Sequence, residues 1–593
     1  MKGIKSIIAI LAVGIVSTSV IAQRRVGSAS ASGNFKNRMA EMMDNDTLTF
    51  AEYTKRAKSS YDDDRDKAIK RYVEYRDSVI ADYVEAIKKP WLGLKSKPAA
   101  PKPKDNSIGP IILKENPAPK ENPKPVVEPK DEPKQDVAPK EEVVPKDEPK
   151  QEVAPKEEVV PKDEPKQEVA PKEEPKPRDN GYKAPIGKIK VKEIVEIPKI
   201  SPDIKPQPFV PIIIPEEDEE PELTLKYTFF GTEVGVSLDE DCRFEIDGSD
   251  NYSVADAIQE IADTDTYNLV LQQCLDMREQ YHLCDWAYFQ ALTALGDAFL
   301  GKDTNEATLL TGYLFCMSGY KVRYAFDTAD KLYNLVACDQ YMIDRPYITL
   351  QNDSKTRYYV IGAPKDGDNR YYVCDYAMPK EKSMSLYISE EPRFAENQVR
   401  DLKLQLHSYP SIKFDYRINK NLIDFYNTYP APLTEGDSYS KWGYYAMAPM
   451  SRLATETVYP AIRAAIKGKS QKAAVDIIMD MIETFKYGYD DKIWGYDRAF
   501  FPDETLFYPY SDCEDHAILL TRMVRDLLGL PTALIYYPGH LASAVCFSEP
   551  VAGDYIETGG RRYTICDATI YYAGVGITMR GMNNREAIMV LVK

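Results

Sequence analysis

The 593-residue chain contains four histidines, His282, His407, His516 and His540, and its nine cysteines include no C-x-x-C pair. A zinc site of the usual Cys/His kind is therefore not expected, and nine cysteines spread over a long chain do not make a small disulfide scaffold. No glycine-rich phosphate loop of the Walker or dinucleotide type is present. Positive charge is not in excess: the net charge is −17, and no basic patch interleaved with aromatics points to nucleic acid. Beyond the first 22 residues no apolar run is long enough to cross a bilayer. These absences leave a chain expected to work without a metal, a cofactor or nucleic acid.

The length allows three or four domains of roughly 100–200 residues. The opening stretch has Lys2 and Lys5 as a basic head, an apolar run from Ile7 to Ile21, and Val20 and Ala22 as small residues before Gln23. That is the pattern of a secretory signal peptide over 1–22, implying a secreted or periplasmic protein that does not span the membrane after cleavage. Residues 34–92 have helical periodicity, with Phe50, Tyr53 and Ala57 on one face and Tyr72, Tyr75, Val79 and Tyr83 on another. Such a helix is either solvated or a surface for self-association. Residues 95–180 carry a 16-residue unit of the form PKDEPKQEVAPKEEVV, too rich in proline and charge to build a core. A disordered, extended spacer is expected there. Residues 183–245 alternate apolar and polar positions as strands do. From 250 onward the pattern is mixed α and β, divided into 250–400, a connecting region 401–470, and 471–593.

The last division carries the chemistry. Between Cys513 and Leu528, Ala517, Leu520, Val524, Leu527 and Leu528 form one helical stripe, with Ser511 or Asp512 as the cap and Gly529 as the stop. Cys513 thus sits in the first turn, where free amide hydrogens and the helix dipole are expected to favour a thiolate. PTALIYY is a strand, Pro538-Gly539 a turn, and His540 opens a second strand. YTICD then delivers Asp567 at the end of a third. If these strands pair as antiparallel neighbours, Asp567 orients the imidazole, His540 takes the thiol proton, and Cys513 attacks a carbonyl. His516, one turn after Cys513, is a weaker candidate for the base, and Glu514 and Asp515 place negative charge beside the sulfur.

The segments DCEDHA at 512–517, GHLASAV at 539–545 and CDAT at 566–569 resemble the transglutaminase-like superfamily in composition, order and spacing. The resemblance covers about 470–593. It implies an α+β, papain-like fold with a helix packed on an antiparallel sheet, and a catalytic triad of Cys513, His540 and Asp567. The sequence has Asp-Ala-Thr where the family more usually has Asp-Pro-Thr. The implied reaction is acyl transfer through a thioester. Hydrolysis of a peptide or isopeptide bond, in secreted proteins or cell-wall peptides, is the leading expectation. A crosslinking transferase and an inactive adhesion or scaffold protein are the alternatives.

An internal comparison extends the picture. Leu309, Leu310, Thr311 and Gly319 fall on Leu519, Leu520, Thr521 and Gly529, which puts Asp303 at the position of Cys513 and Glu306 at that of His516. RYYVCD mirrors RYTICD, so Asp375 matches Asp567, and LYNLVAC stands where HLASAVC does, without a histidine. Residues 250–400 are thus expected to be a degenerate copy, with the substrate cleft between the copies. Cys338 with Cys374, and Cys546 with Cys566, are expected on adjacent strands as disulfides or packed thiols. Cys513 is left free.

Overall fold

A computed structural model describes residues 50–100, 186–197, 205–209, 212, 221–364 and 369–592. The expected signal peptide, the start of the helical region and the 16-residue repeats lie outside these residues. The protein is a mixed α+β structure with several antiparallel sheets. Helix α1 spans Phe50–Ile87, and in its last turns Ile80, Tyr83, Val84 and Ile87 are buried. Their spacing of three and four puts them on one stripe. That stripe is covered by the same chain: the Tyr83 ring lies 5.7 Å from Tyr376, and Arg76 pairs with Asp265 at 3.1 Å. Strand β1 follows at Leu92–Lys95. The expected spacer therefore begins later than position 95, because Lys97 and Ala100 donate to the carbonyls of Tyr347 and Ile343.

Strand β2, Glu193–Glu196, belongs to the far end of the chain, and a hairpin of β3, Leu225–Phe229, and β4, Thr232–Val236, opens the folded body. The first of two six-stranded sheets follows helices α2, Asp285–Leu300, and α3, Asn305–Met317. Its strands are β5, Val322–Asp327, β6, Leu332–Ala337, β7, Tyr347–Ile348, β8, Tyr358–Val360, and β9, Arg370–Val373. With β1 the order is β1-β9-β5-β6-β8-β7, antiparallel throughout.

The second sheet follows α4, Lys441–Met447, α5, Gln471–Ile482, and α6, Cys513–Leu528. Its strands are β10, Thr532–Tyr537, β11, His540–Val545, β12, Tyr555–Thr558, β13, Arg561–Cys566, and β14, Ile588–Val592. The order is β12-β13-β11-β10-β14-β2, antiparallel except for the edge strand β2, which runs parallel to β14. The lead-in segment thus edges the sheet that ends the chain. Strands β10 and β11 are buried on both faces, which is why TALIYY and HLASAV read as near-continuous apolar runs rather than alternating ones. Leu534, Leu541 and Val545 belong to the same cluster as the buried side of α6, and Ala533, Ile535, Ala542, Ala544 and Ile565 to a separate cluster with Tyr537.

The internal likeness holds for a helix and a hairpin and then breaks. Helix α3 leads into β5 and β6 as α6 leads into β10 and β11, and α2 packs on α3 as α5 packs on α6. The third strands differ: β13 pairs with β11, whereas β9 pairs with β5. Cys338 and Cys374, which follow β6 and β9, are therefore separated by β5 and are not on adjacent strands. In the second sheet Cys566 faces Ser543 rather than Cys546. All nine cysteines are free thiols.

Candidate active site

Asp512 caps α6. Its Oδ1 accepts from the Glu514 amide at 3.1 Å, and the Asp515 carboxylate returns to the Asp512 amide at 3.0 Å, forming a capping box. Gly529 ends the helix in the left-handed region at φ 64. The Ser543 hydroxyl donates to the Ala517 carbonyl at 2.8 Å and meets Thr521 Oγ1 at 3.2 Å, pinning the helix to the middle of β11. Cys513 is thereby fixed over the start of that strand. The turn before it places glycine where φ must be positive, Gly539 at 81, and Tyr537 faces His540 across the hairpin.

His540 and Asp567 are brought together as expected. The imidazole Nε2–H donates to Asp567 Oδ2 at 2.7 Å, and the other carboxylate oxygen accepts from the Thr569 amide at 3.0 Å. Each residue is 2 % exposed, so water does not compete for this bond. With Nε2 committed, Nδ1 is left as the basic nitrogen, and it is buried without a hydrogen-bond partner.

Cys513 does not complete the set as drawn from the sequence. Among the described residues no hydrogen bond joins its sulfur to the imidazole. The thiol points to Glu514 Oε2 at 3.9 Å, and the Leu541 amide hydrogen-bonds the sulfur. The His540 ring stacks by Tyr537, 6.4 Å away between centroids, whose side chain belongs to the cluster on the other face of the sheet. Thiol and imidazole are neighbours through one residue of backbone rather than direct partners.

The expectation of a lowered thiol pKa is also corrected. Cys513 is 1 % exposed, and burial pushes its pKa well above the ordinary value; the Asp512 and Glu514 carboxylates push the same way, and only the Leu541 amide opposes them. The helix terminus does not win against desolvation and like charge. In this arrangement the thiol form is favoured.

His516 is not a base in this arrangement. Its Nδ1 faces the Ala568 carbonyl at 3.4 Å, so the proton sits there and Nε2 accepts from the Ser511 hydroxyl at 3.0 Å. Burial lowers its pKa to about 4, which keeps it neutral. It braces the backbone just after Asp567 against the segment just before Cys513.

Several residues near the site gave no signal in sequence. Glu483, at the end of α5, accepts from the Tyr572 amide at 2.9 Å, and burial, with Asp480 and Asp567 nearby, pushes its pKa up to about 9. Lys441, from the connecting region, pairs with Asp497 at 2.8 Å beside Glu514. The aromatic loop before α6 is mostly packing: Trp494, Phe500 and Tyr508 surround the Arg498 guanidinium. A cavity of about 150 Å³ lies between the two halves, lined by Arg345 of the first and by Tyr429, Lys441, Asp497 and Arg498. No protein-family model, curated protein or solved structure matches this chain.

Proposed function

We propose that residues 471–593 form a thiol-dependent acyl-transfer centre, held closed in the state described. The observation that carries this reading is the buried His540–Asp567 pair with its unpartnered Nδ1. A buried polar atom left without a partner is costly, and a general base waiting for its proton donor is one reason to keep it. The Cys513 thiol is held at the amide of Leu541, the residue after His540.

In the reaction the Cys513 thiol gives its proton to His540 Nδ1 as the sulfur bonds to a carbonyl carbon. The leaving amine takes that proton as the C–N bond breaks, and a thioester remains. Water as acceptor makes a peptidase or amidase, and an amine makes a crosslinking transferase. The three segments that resemble the transglutaminase-like superfamily support a polypeptide substrate. The leader-like first 22 residues support export, with cell-envelope proteins or wall peptides as the material at hand. The chemistry requires imidazole and sulfur to meet and the sulfur to be uncovered, so substrate entry and opening are one step.

A specific observation favours a second reading: Cys513 is 1 % exposed with its pKa raised, as a packed core thiol is. In that case the fold serves adhesion or scaffolding. Alkylation of the native protein by iodoacetamide, with each cysteine followed by peptide mass spectrometry, separates the two. The enzyme reading expects Cys513 to react faster than the other buried thiols and His540→Ala to slow it. Equal, slow modification in both proteins gives the scaffold reading.

A further inference from the structure

Asp490, Asp497 and Glu514 converge beside the first turn of α6, with one carboxylate oxygen from each lying within 4.8 Å of the others. Asp490 and Glu514 are 1 % and 5 % exposed, and Asp497 is largely covered. Glu514 Oε1 is buried and accepts no hydrogen bond. We propose that these three side chains are a binding site for a hard divalent cation of the calcium class.

Charge is the first argument. Three carboxylates face one ammonium, that of Lys441, which bonds Asp497 Oδ2 at 2.8 Å. Asp490 Oδ2 accepts from the Arg498 amide at 2.6 Å, and burial with the neighbouring carboxylates holds the Glu514 pKa well above its ordinary value; a divalent ion at this point would favour the ionised form of all three. Neighbouring groups are already committed. Asp512 caps the Glu514 amide, the two Asp515 oxygens accept from the Asp512 and Phe500 amides at 3.0 and 2.8 Å, and Arg498 is held by Glu504 and Asn427.

Ligand chemistry is the second. The donors are all carboxylate oxygens, which select hard cations over zinc or copper. An ion that binds oxygen at about 2.3–2.6 Å in a flexible shell accommodates carboxylate oxygens within 4.8 Å of one another, whereas magnesium, at about 2.0–2.1 Å, requires near-ideal octahedral geometry. Asp490 opens a one-turn helix, Asp490–Ile493, and Asp497 follows it in the segment between α5 and α6. Backbone carbonyls and water complete a shell of this kind.

The site is independent of the acyl-transfer reading, and its test uses no activity. Full-length protein stripped with chelator is titrated with calcium chloride by calorimetry, and its melting temperature is followed in parallel. One calcium ion per chain and a rise in melting temperature are expected, with magnesium chloride weaker. Glu514→Gln, which keeps the shape and removes the charge, lowers the affinity at least about tenfold. Asp497→Asn, at the more accessible position, does the same if the first variant fails to fold. Lys441→Met removes the competing ammonium and tightens binding. Wild-type protein without heat or melting shift in millimolar calcium overturns the proposal, with Lys441 then the whole counter-charge. An unchanged calcium response in both carboxylate variants also overturns it by placing the ion elsewhere. His540→Ala binds calcium as wild type does, so loss of thiol chemistry and loss of this site are distinguishable.

Discussion

The two sheets start alike and end differently. Each begins with a helix feeding two antiparallel strands, α3 into β5 and β6, and α6 into β10 and β11. In the second, the strand that ends at Asp567 comes in beside β11 and carries a carboxylate to the histidine that opens that strand. In the first, the corresponding strand β9 comes in beside β5, on the opposite side of the hairpin. Leu332 stands where His540 does, and Asp375 hydrogen-bonds Asn352 instead. The absence of counterparts to Cys513 and His540 is thus one part of what separates the halves. The other is strand order, which no point substitution restores. A matching hexapeptide, RYYVCD against RYTICD, is compatible with either side because a β-strand's side-chain pattern is blind to which neighbour it pairs with.

The comparison can be broken most decisively at the imidazole. His540→Ala is expected to slow alkylation of Cys513 by about a hundredfold or more, the scale of a general base. Cys316, Cys338 and Cys374 in the first half should keep their rates, as peptide mapping of the alkylated protein will show.

A smaller contrast concerns the two matched aspartates. Asp567→Ala removes the partner of a buried imidazole and is expected to cost about 1.5–3 kcal/mol in denaturant unfolding. Asp375→Ala, half-buried and bonded to Asn352, should cost about 0.5 kcal/mol or less. Equal costs would mean that the two strands carry the same load after all.

The dependence on pH bears on the second half through Glu483, which stands near Asp567. Its folded pKa is raised to about 9 by burial, so between its unfolded value and pH 9 the folded state holds a proton that the unfolded state has released. Stability therefore falls as pH rises through that window. Glu483→Gln should flatten the fall in melting temperature between pH 5 and 9. An unchanged slope would put the dependence on other groups. The smallest effect expected is none: reductant should leave the melting temperature of the wild-type chain where it is, since all nine thiols are free.

Much of the site was legible in the residues. The apolar stripe of α6, its cap at Asp512, its stop at Gly529, and the strands opening at His540 and closing before Asp567 follow from periodicity and turn chemistry, and the structure has them in those places. The His540–Asp567 bond followed from assuming antiparallel neighbours. What failed was the thiol. The sequence places Cys513 at a helix N-terminus, where isolated physics lowers its pKa, but burial and the adjacent Asp512 and Glu514 carboxylates outweigh it, and part of the surroundings comes from chain far away. Lys441 lies 72 positions before Cys513, in a region that shows no motif. The pairing of Cys546 with Cys566 failed for a related reason, since register is fixed by the whole ladder rather than by two residues on it.

Local pattern by itself determined the helices and strands around the site, because those depend on side-chain period, caps and turns within a few tens of residues. Tertiary structure decided which strand lies beside which, how deeply the sulfur is covered, and which carboxylates crowd its helix. Burial and electrostatic coupling are set by everything that packs within a few ångströms, and here those neighbours reach back as far as Lys441, 72 positions before Cys513.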